Sequence, residues 1–312
     1  MAVGLTGVAA ARSRRLGGRA RFGRREAVGY AFLLPLIAFF LLFHIWPIVR
    51  AFTLSFTNYK YLARNNVDFV GLDNYVEAFQ DDRVRHGIAL GVEYVLMYVP
   101  ASMALAVFVA LLLDRVGHRG ASSFYRTIYY LPVVMPGAVV YVLWKWMYYP
   151  SFGLVNTVLI DTLHFPGRPQ WLSDYELALP SIVVMELWRF LGYNVLLLLV
   201  GLAGINRELY EAARIDGASE RQIIWHVTLP LLKPTFLVMM VLKMSNFAIL
   251  EPMLVTPGIG DSTQTWAWRA YQVAFQEGRL RMGYASAIGH LCALIMSVFV
   301  VVQYRLFRHE RA

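Results

Sequence analysis

Charged residues inside long apolar stretches are the first positions in this sequence whose chemistry suits the binding of a polar solute. Four of them stand out: Glu186, Arg189, Lys243 and Glu251. A charge within a lipid bilayer costs at least about 2.5–3.5 kcal/mol, and such residues almost always face the interior of a helix bundle or a water-filled pathway. We therefore interpret these four residues as candidates for contact with a solute.

The spacing of these residues places them on common helix faces. Glu186, Arg189 and Tyr193 follow one another at i, i+3 and i+7, which is one stripe of an α-helix. Lys243 and Asn246 form a corresponding stripe in the next apolar segment. The alternative is that Glu186 pairs with Arg189, or Lys243 with a neighbouring segment, only to limit the cost of burial. Spacing alone leaves both interpretations open.

The elements that must position these charges are transmembrane helices. The chain has 312 residues, of which 58% are hydrophobic and 16% charged, whereas soluble domains are roughly 45–50% apolar and about 25% charged. A helix needs about 20 residues to cross a bilayer. Six apolar segments are long enough, near 27–50, 88–113, 125–149, 178–203, 233–256 and 283–306. The sequence predicts an all-α membrane protein with six transmembrane helices.

The distribution of basic residues predicts the orientation. Seven of the arginines fall within the first 25 residues, directly before the first apolar segment, which is the positive-inside pattern. This pattern accounts for the net charge of +9 without a nucleic-acid partner. We expect both termini in the cytoplasm, with an N-terminal tail at 1–26, a six-span domain at 27–306 that carries a cytoplasmic loop at 204–232, and a C-terminal tail at 307–312. The first segment exceeds the 7–15 apolar residues of a signal peptide, so we expect it to be retained.

Several enzymatic and cofactor sites lack their sequence patterns. Glycine is nowhere followed by lysine, which excludes a P-loop, and GxSxG is absent as well. The seven histidines show no pair at metal-ligand spacing, and Cys292 has no partner for a disulfide. We expect no metal or cofactor bound by this chain.

The loop at 204–232 is built as two short helices about a turn. Asn206 suits the N-cap of the first helix, and Gly217 suits a left-handed residue that ends it. Ser219 and Gln222 match a capping box, which starts a second helix that we expect to end before Pro230. The first helix has about ten residues, below the roughly 12–15 needed for marginal stability in isolation. It therefore needs a partner surface, either another protein or the membrane surface.

The loop also carries a recognisable signature. Glu211–Ala213, then Gly217, then Val227–Pro230 resemble the E-A-A loop of the permease subunits of binding-protein-dependent ABC importers, with valine in place of the usual isoleucine. Three further stretches are similar to the sugar and glycerol-phosphate branch of these permeases: Phe69–Phe79, Phe124–Gly137 and Gly283–Ile288. The resemblance implies the type I ABC importer permease fold in a bacterial or archaeal cytoplasmic (inner) membrane, as a multi-pass protein surrounded by lipid.

The resemblance also implies a division of labour. An extracytoplasmic solute-binding protein delivers the solute, this chain and a second permease subunit form the pathway, and two ATPase subunits bind ATP and Mg. This chain would be a transport subunit and no enzyme. The residues that the resemblance assigns to the ATPase contact are Glu211, Ala212, Ala213, Asp216 and Gly217.

The resemblance further implies where the solute makes contact. Counting back from the E-A-A motif without gaps places solute-contacting positions at Glu186, Arg189, Phe190 and Tyr193. Asn246 requires a gap in the count, and Glu251 matches a position that is often acidic in relatives. The expected solute is a sugar or oligosaccharide, with glycerol 3-phosphate or a glycerophosphodiester as the alternative. A single-chain secondary transporter is more remote, because the six segments show no internal repeat.

Overall fold

The computed structural model describes residues 24–63, 65, 67–114, 119–244 and 260–308. These residues are mostly helical and contain no β-strand beyond an isolated bridge between Thr57 and Phe69. Contacts divide the chain into two compact units between Thr53 and Leu54. The predicted solute contacts Asn246 and Glu251 lie outside the described residues.

Single π-helical turns join or extend several of the helices. Up to the third predicted span they are α1 (Arg24–Phe40), α2 (Trp46–Ser55), α3 (Asp73–Gln80), α4 (Asp82–Asp114), α5 (Arg119–Val134) and α6 (Gly137–Met147). The remaining ones are α7 (Leu154–Thr157), α8 (Tyr175–Ala203), α9 (Arg207–Ile215), α10 (Glu220–Ile223), α11 (Leu229–Leu231), α12 (Lys233–Met244), α13 (Trp266–Tyr271) and α14 (Met282–Arg308).

Four unbroken helical segments in the described residues are long and apolar enough to cross a membrane: Val28–Ser55, Asp82–Leu113, Tyr175–Ala203 and Met282–Arg305. Two bent pairs raise the number of candidate spans to as many as six. The predicted third span consists of α5 and α6, which meet at 107°. Pro136 lies at this bend as the N-cap of α6. The helix breaks here because the proline ring removes a hydrogen-bond donor and disfavours helical backbone at the residue before it.

The long helix α8 packs against α4, α5 and α12. Two glycines allow these approaches. A Cβ atom at Gly192 would overlap the carbonyl oxygen of Tyr129 on α5, and one at Gly201 would overlap the Thr235 hydroxyl on α12. At Gly192 two backbones therefore approach more closely than a larger residue permits, and at Gly201 the α8 backbone lies against the side chain of Thr235.

An ion-pair network lies at the N-terminal end of α4. The opposite end of α4 is the one near the loop at 204–232. Arg269 of α13 pairs with Asp81 at 3.2 Å and also with Glu277. Tyr284 donates a hydrogen bond to Asp81 at 2.9 Å. Burial alone would raise the pKa of Asp81, but the hydrogen bonds from Tyr284 and the Arg83 amide and the charge of Arg269 hold that pKa below its ordinary value. The network thus joins the starts of α4 and α14 to α13.

Candidate functional site

The loop that carries the E-A-A signature has the two predicted caps. The Asn206 side chain accepts a hydrogen bond from the Glu208 amide at 3.1 Å and starts α9. Gly217 has φ of +80° and follows the end of α9. Ser219 and Gln222 form a reciprocal capping box that starts α10. The prediction of two helices about a glycine turn is confirmed.

The predicted end of the second helix is wrong. Helical backbone continues beyond α10 through a π-helical turn at Ile224–Thr228 and into α11, which contains Pro230. The Leu229 amide reaches back five residues to the Ile224 carbonyl. This wider turn places Pro230 in the first turn of α11. Backbone amides in a first turn form no hydrogen bond within the helix, so a proline there costs no such bond.

The helix α9 is exposed to its surroundings. None of its residues is buried, and the exposed fraction of Ile215 reaches 86%. Of the residues assigned to the ATPase contact, Ala213 is half-buried and the other four are exposed. Arg214 pairs with Glu220 at 3.3 Å and so links α9 to α10. The loop is ordered by its own caps and leaves its outer face open.

A cavity of 710 Å³ lies between α9 and the ends of α4 and α8. Tyr210, Glu211 and Arg214 line its α9 side, and Leu111 and Leu199 line the side formed by the long helices. Glu211 therefore faces this space, whereas the apolar Ile215 is almost fully exposed.

A second group of polar residues lies buried among α4, α6, α8 and α12. Tyr141 of α6 donates a hydrogen bond to Glu186 of α8 at 2.6 Å. Arg189 lies 3.8 Å from Glu186 and donates to the Tyr141 hydroxyl. The guanidinium also lies over the rings of Tyr141 and Phe190, at 5.1 and 4.9 Å from their centroids. We call the following residues the polar cluster: Tyr141, Glu186, Arg189 and Phe190, together with their neighbours Lys243, Asn194, Tyr98 and Tyr94.

Lys243 enters the polar cluster from α12. Its ammonium donates to Asn194 Oδ1 at 2.9 Å and to the Tyr98 hydroxyl at 3.5 Å. It also lies 4.7 Å from the centroid of the Tyr98 ring. Lys243 is 5% exposed and Glu186 is 3% exposed. Two of the four intramembrane charges named from the sequence are thus fully enclosed.

Tyr94 of α4 completes the polar cluster. Its ring stacks on that of Tyr98 with centroids 5.3 Å apart. Its hydroxyl is buried and has no hydrogen-bond partner within the described part of the chain. The Trp144 indole nitrogen on α6 is in the same condition there. The polar cluster therefore contains both satisfied ions and an unused hydroxyl.

The structure places the sequence-named residues as follows. Glu186, Arg189 and Phe190 contact one another through the pairings above, as the pairing alternative anticipated, and Tyr193 is half-buried on α8. The sequence did not predict the neutral partners, which are Tyr98, Tyr141 and Asn194. No local pattern identifies a tyrosine or an asparagine as the neighbour of a charge that is distant in sequence.

Two further charges within apolar segments were missed. Glu93 of α4 and Lys145 of α6 are both exposed on their helices. Their signal in the sequence is the same as that of Glu186 and Lys243, a charge inside an apolar segment. Glu93 lies in the segment 88–113, and Lys145 lies in the segment 125–149. The described residues contain no group of three or more His, Cys, Asp or Glu side chains suited to a metal ion.

The comparisons with known proteins agree with this geometry. The family model of the binding-protein-dependent transport system inner membrane component matches residues 99–311. The probable ABC transporter permease protein PH1215 of Pyrococcus horikoshii is 34% identical, and the alignment covers 89% of this chain and 94% of the relative. The diacetylchitobiose uptake system permease protein NgcF of Streptomyces coelicolor is 31% identical over 89% of this chain and 81% of its own length.

A solved structure extends the likeness to three dimensions. A bacterial alginate ABC transporter, crystallised in complex with its periplasmic protein bound to an alginate pentasaccharide, aligns with a TM-score of 0.80 and 25% identity. The alignment covers 91% of this chain and 95% of that chain. The helices described above thus adopt the type I ABC importer permease fold, and the chain belongs to the family of inner membrane components of binding-protein-dependent transport systems.

Proposed function

We propose that this chain is the permease subunit of an ATP-driven importer and forms half of the pathway for a sugar or oligosaccharide. The observation that carries the proposal is the polar cluster, which places Glu186, Arg189 and Lys243 inside candidate spans of a fold shared with importer permeases. Relatives that transport diacetylchitobiose, arabinooligosaccharides and alginate support an oligosaccharide as the solute.

The solute meets the pathway at the polar cluster. We assign contacts to Glu186, Arg189, Phe190, Tyr193 and Lys243, and to Asn246 and Glu251 beyond the described residues. Tyrosine rings and hydroxyls supply both stacking surfaces and hydrogen bonds, which suits the alternating apolar faces and hydroxyl edges of sugars. The exposed apolar side chains of α4, such as Leu96 and Phe108, would face lipid or the second permease.

The loop between α8 and α12 couples the pathway to ATP hydrolysis. We assign Glu211, Ala212, Ala213, Asp216 and Gly217 to the contact with an ATPase subunit that binds the ATP and Mg. The absence of any buried residue in α9 supports this assignment, because a nine-residue helix gains little stability from its own chain. No cofactor would be held by this subunit itself.

The topology follows from the same assignment. Six spans with both termini in the cytoplasm put the loop at 204–232 on the cytoplasmic side of the inner membrane. The tails at 1–26 and 307–312 would flank a permease domain at 27–306. The bent pair α5–α6 would then form the third span, and α12 would begin the fifth span at 233–256, after the bend that separates it from the loop.

Reconstitution tests the proposal. The complex is purified from mild detergent through a tag on this chain, and its companions are identified by mass spectrometry. We expect a second permease, an ATPase and a solute-binding protein, and we expect liposomes that hold the whole complex to import labelled oligosaccharide only with internal ATP.

The matched control is this chain alone in liposomes. It should neither hydrolyse ATP nor import sugar. Uptake by the isolated chain, driven by an ion gradient, would contradict the proposal and favour a secondary transporter.

A further inference from the structure

Lys243 is the cation of the polar cluster whose contacts are all made to neutral groups. Its ammonium reaches an amide oxygen at 2.9 Å, a tyrosine hydroxyl at 3.5 Å and a tyrosine ring. Among the described residues its ammonium forms no direct ion pair, and the Glu186 carboxylate, which pairs with Arg189, acts on it only from a longer distance. An enclosed ammonium whose direct contacts are all neutral is expensive to keep in a membrane protein, so its presence indicates a function.

The other two charges of the polar cluster offset each other. Glu186 accepts from Tyr141 at 2.6 Å and lies 3.8 Å from Arg189. Among the described residues of the polar cluster, one carboxylate, Glu186, faces two cations, Arg189 and Lys243, which leaves one positive charge in excess. Glu93, which lies next to Tyr94 in sequence, is exposed and is not enclosed in the polar cluster.

A second observation points to a missing acceptor. The Tyr94 hydroxyl is fully buried and donates to no acceptor within the described residues. Tyr94 stacks on Tyr98, which itself contacts Lys243, and it lies within electrostatic range of Glu186 and Tyr141. Buried hydroxyls are nearly always hydrogen-bonded, so this one marks a place where an acceptor arrives from elsewhere.

We propose that the polar cluster takes a solute that carries an anionic oxygen group, with Lys243 supplying the charge and the Tyr94 hydroxyl a hydrogen bond. This inference rests on the importer function proposed above. A carboxylate of an acidic saccharide and a phosphate ester of a polyol share the required chemistry. A neutral sugar would leave the excess charge unpaired, whereas an oxyanion forms charge-assisted hydrogen bonds with an ammonium.

Two matched pairs of probes separate the sources of the oxyanion. The complete complex, with its own solute-binding protein, is placed in proteoliposomes and supplied with ATP. The first pair is a uronic acid trisaccharide and its carboxyl-reduced neutral counterpart, and the second is glycerol 3-phosphate and glycerol. Uptake of each labelled probe and ATP hydrolysis are measured. We expect one anionic probe to be imported at least about tenfold faster than its neutral counterpart, as one charge-assisted hydrogen bond implies.

Variants then assign the preference to the polar cluster. Lys243→Met should reduce uptake of the imported anionic probe at least about tenfold, and Lys243→Arg should retain most of it. Tyr94→Phe deletes a hydroxyl that has no described partner, so it should slow uptake of the anionic probe without lowering the thermal unfolding midpoint. Tyr148→Phe is the control, because its hydroxyl donates to the Ser181 carbonyl at 3.3 Å. It should lower the midpoint and leave the preference for the anionic probe unchanged.

The outcomes are distinct. Equal or faster import of the neutral trisaccharide overturns the anionic solute while leaving the oligosaccharide importer intact. Failure of the complex to respond to either anionic probe overturns it as well. Import of no solute by the complete complex, with ATP and binding protein present, overturns the importer function itself.

Discussion

The loop between α8 and α12 and the polar cluster use charge in opposite ways. In the loop, Arg214 and Glu220 pair with each other, and their side chains are 58% and 60% exposed. In the polar cluster, the side chains of Arg189 and Glu186 are 15% and 4% exposed. Water therefore screens the first pair, while the second depends on its protein neighbours.

This difference explains how each region is held. Caps and a glycine turn within about twenty residues define the loop, so its geometry is local. The polar cluster draws on four helices, and its partners are separated by up to 145 residues in sequence. A local change should therefore alter the loop without unfolding it, whereas the loss of a paired group in the polar cluster should lower the stability of the packed helices.

Removing Glu186 should have the largest effect. Glu186→Ala leaves Arg189 enclosed without its carboxylate, and breaking a buried pair in this way costs about 3–5 kcal/mol. The thermal unfolding midpoint of the detergent-purified complex measures the loss. The double variant Glu186→Leu with Arg189→Met is the control and should recover most of the stability. A single variant as stable as the double would contradict the assignment of a buried pair.

The crossing of α8 and α5 should come next. Gly192→Ala places a Cβ onto the Tyr129 backbone, and forcing extra atoms into a packed contact costs about 1–3 kcal/mol. Gly289→Ala on α14 is the matched control, because its Cβ would meet no atom within 4 Å. The control should be neutral or slightly stabilising. Equal unfolding midpoints for the two variants would contradict the close approach of α8 and α5 at Gly192.

The turn of the loop should respond with a smaller change in stability and a larger change in function. Gly217→Val forces a branched residue to φ of +80°, a cost of about 1–2 kcal/mol confined to the turn. We expect ATP hydrolysis to continue while import falls. Gly217→Asn, which tolerates this conformation, should retain import. Since a Cβ here meets no atom within 4 Å, loss of import in both variants would point to the turn surface rather than to backbone strain.

The exposed ion pair of the loop should matter least. Arg214→Ala should change stability by no more than about 1 kcal/mol, and the change should shrink at high salt because exposed charges are screened. Unfolding at low and high ionic strength measures it. A loss as large as that of Glu186→Ala would remove the contrast between the two regions.

The parts of the fold that depend on nearby residues were predictable from the sequence. The caps at Asn206 and Ser219 and the turn at Gly217 follow from residue types within a few positions of each other. The end of the second helix was not predictable, because a π-helical turn that accommodates Pro230 leaves no clear pattern. A bend at Pro136 was predictable from a proline inside an apolar segment, but its angle of 107° was not.

The candidate site was predictable only in its charges. Glu186, Arg189 and Lys243 stand out because ions are rare in apolar segments. Tyr98, Tyr141 and Asn194 do not stand out, since tyrosine and asparagine occur throughout the chain and only helix packing selects these three. The unsatisfied hydroxyl of Tyr94 is a property of three-dimensional surroundings and has no counterpart in the sequence.

The close approach at Gly201 has a mechanical consequence. There α8 meets Thr235 of α12 beside the two ends of the loop, and deeper in the bundle Asn194 and Lys243 join the same two helices. Two attachment points along one line remove most of the freedom of α8 and α12 to slide or pivot against each other. Because Tyr141 also ties α8 to α6 and Tyr98 ties α12 to α4, a displacement of α9 would be transmitted to all four helices through the polar cluster.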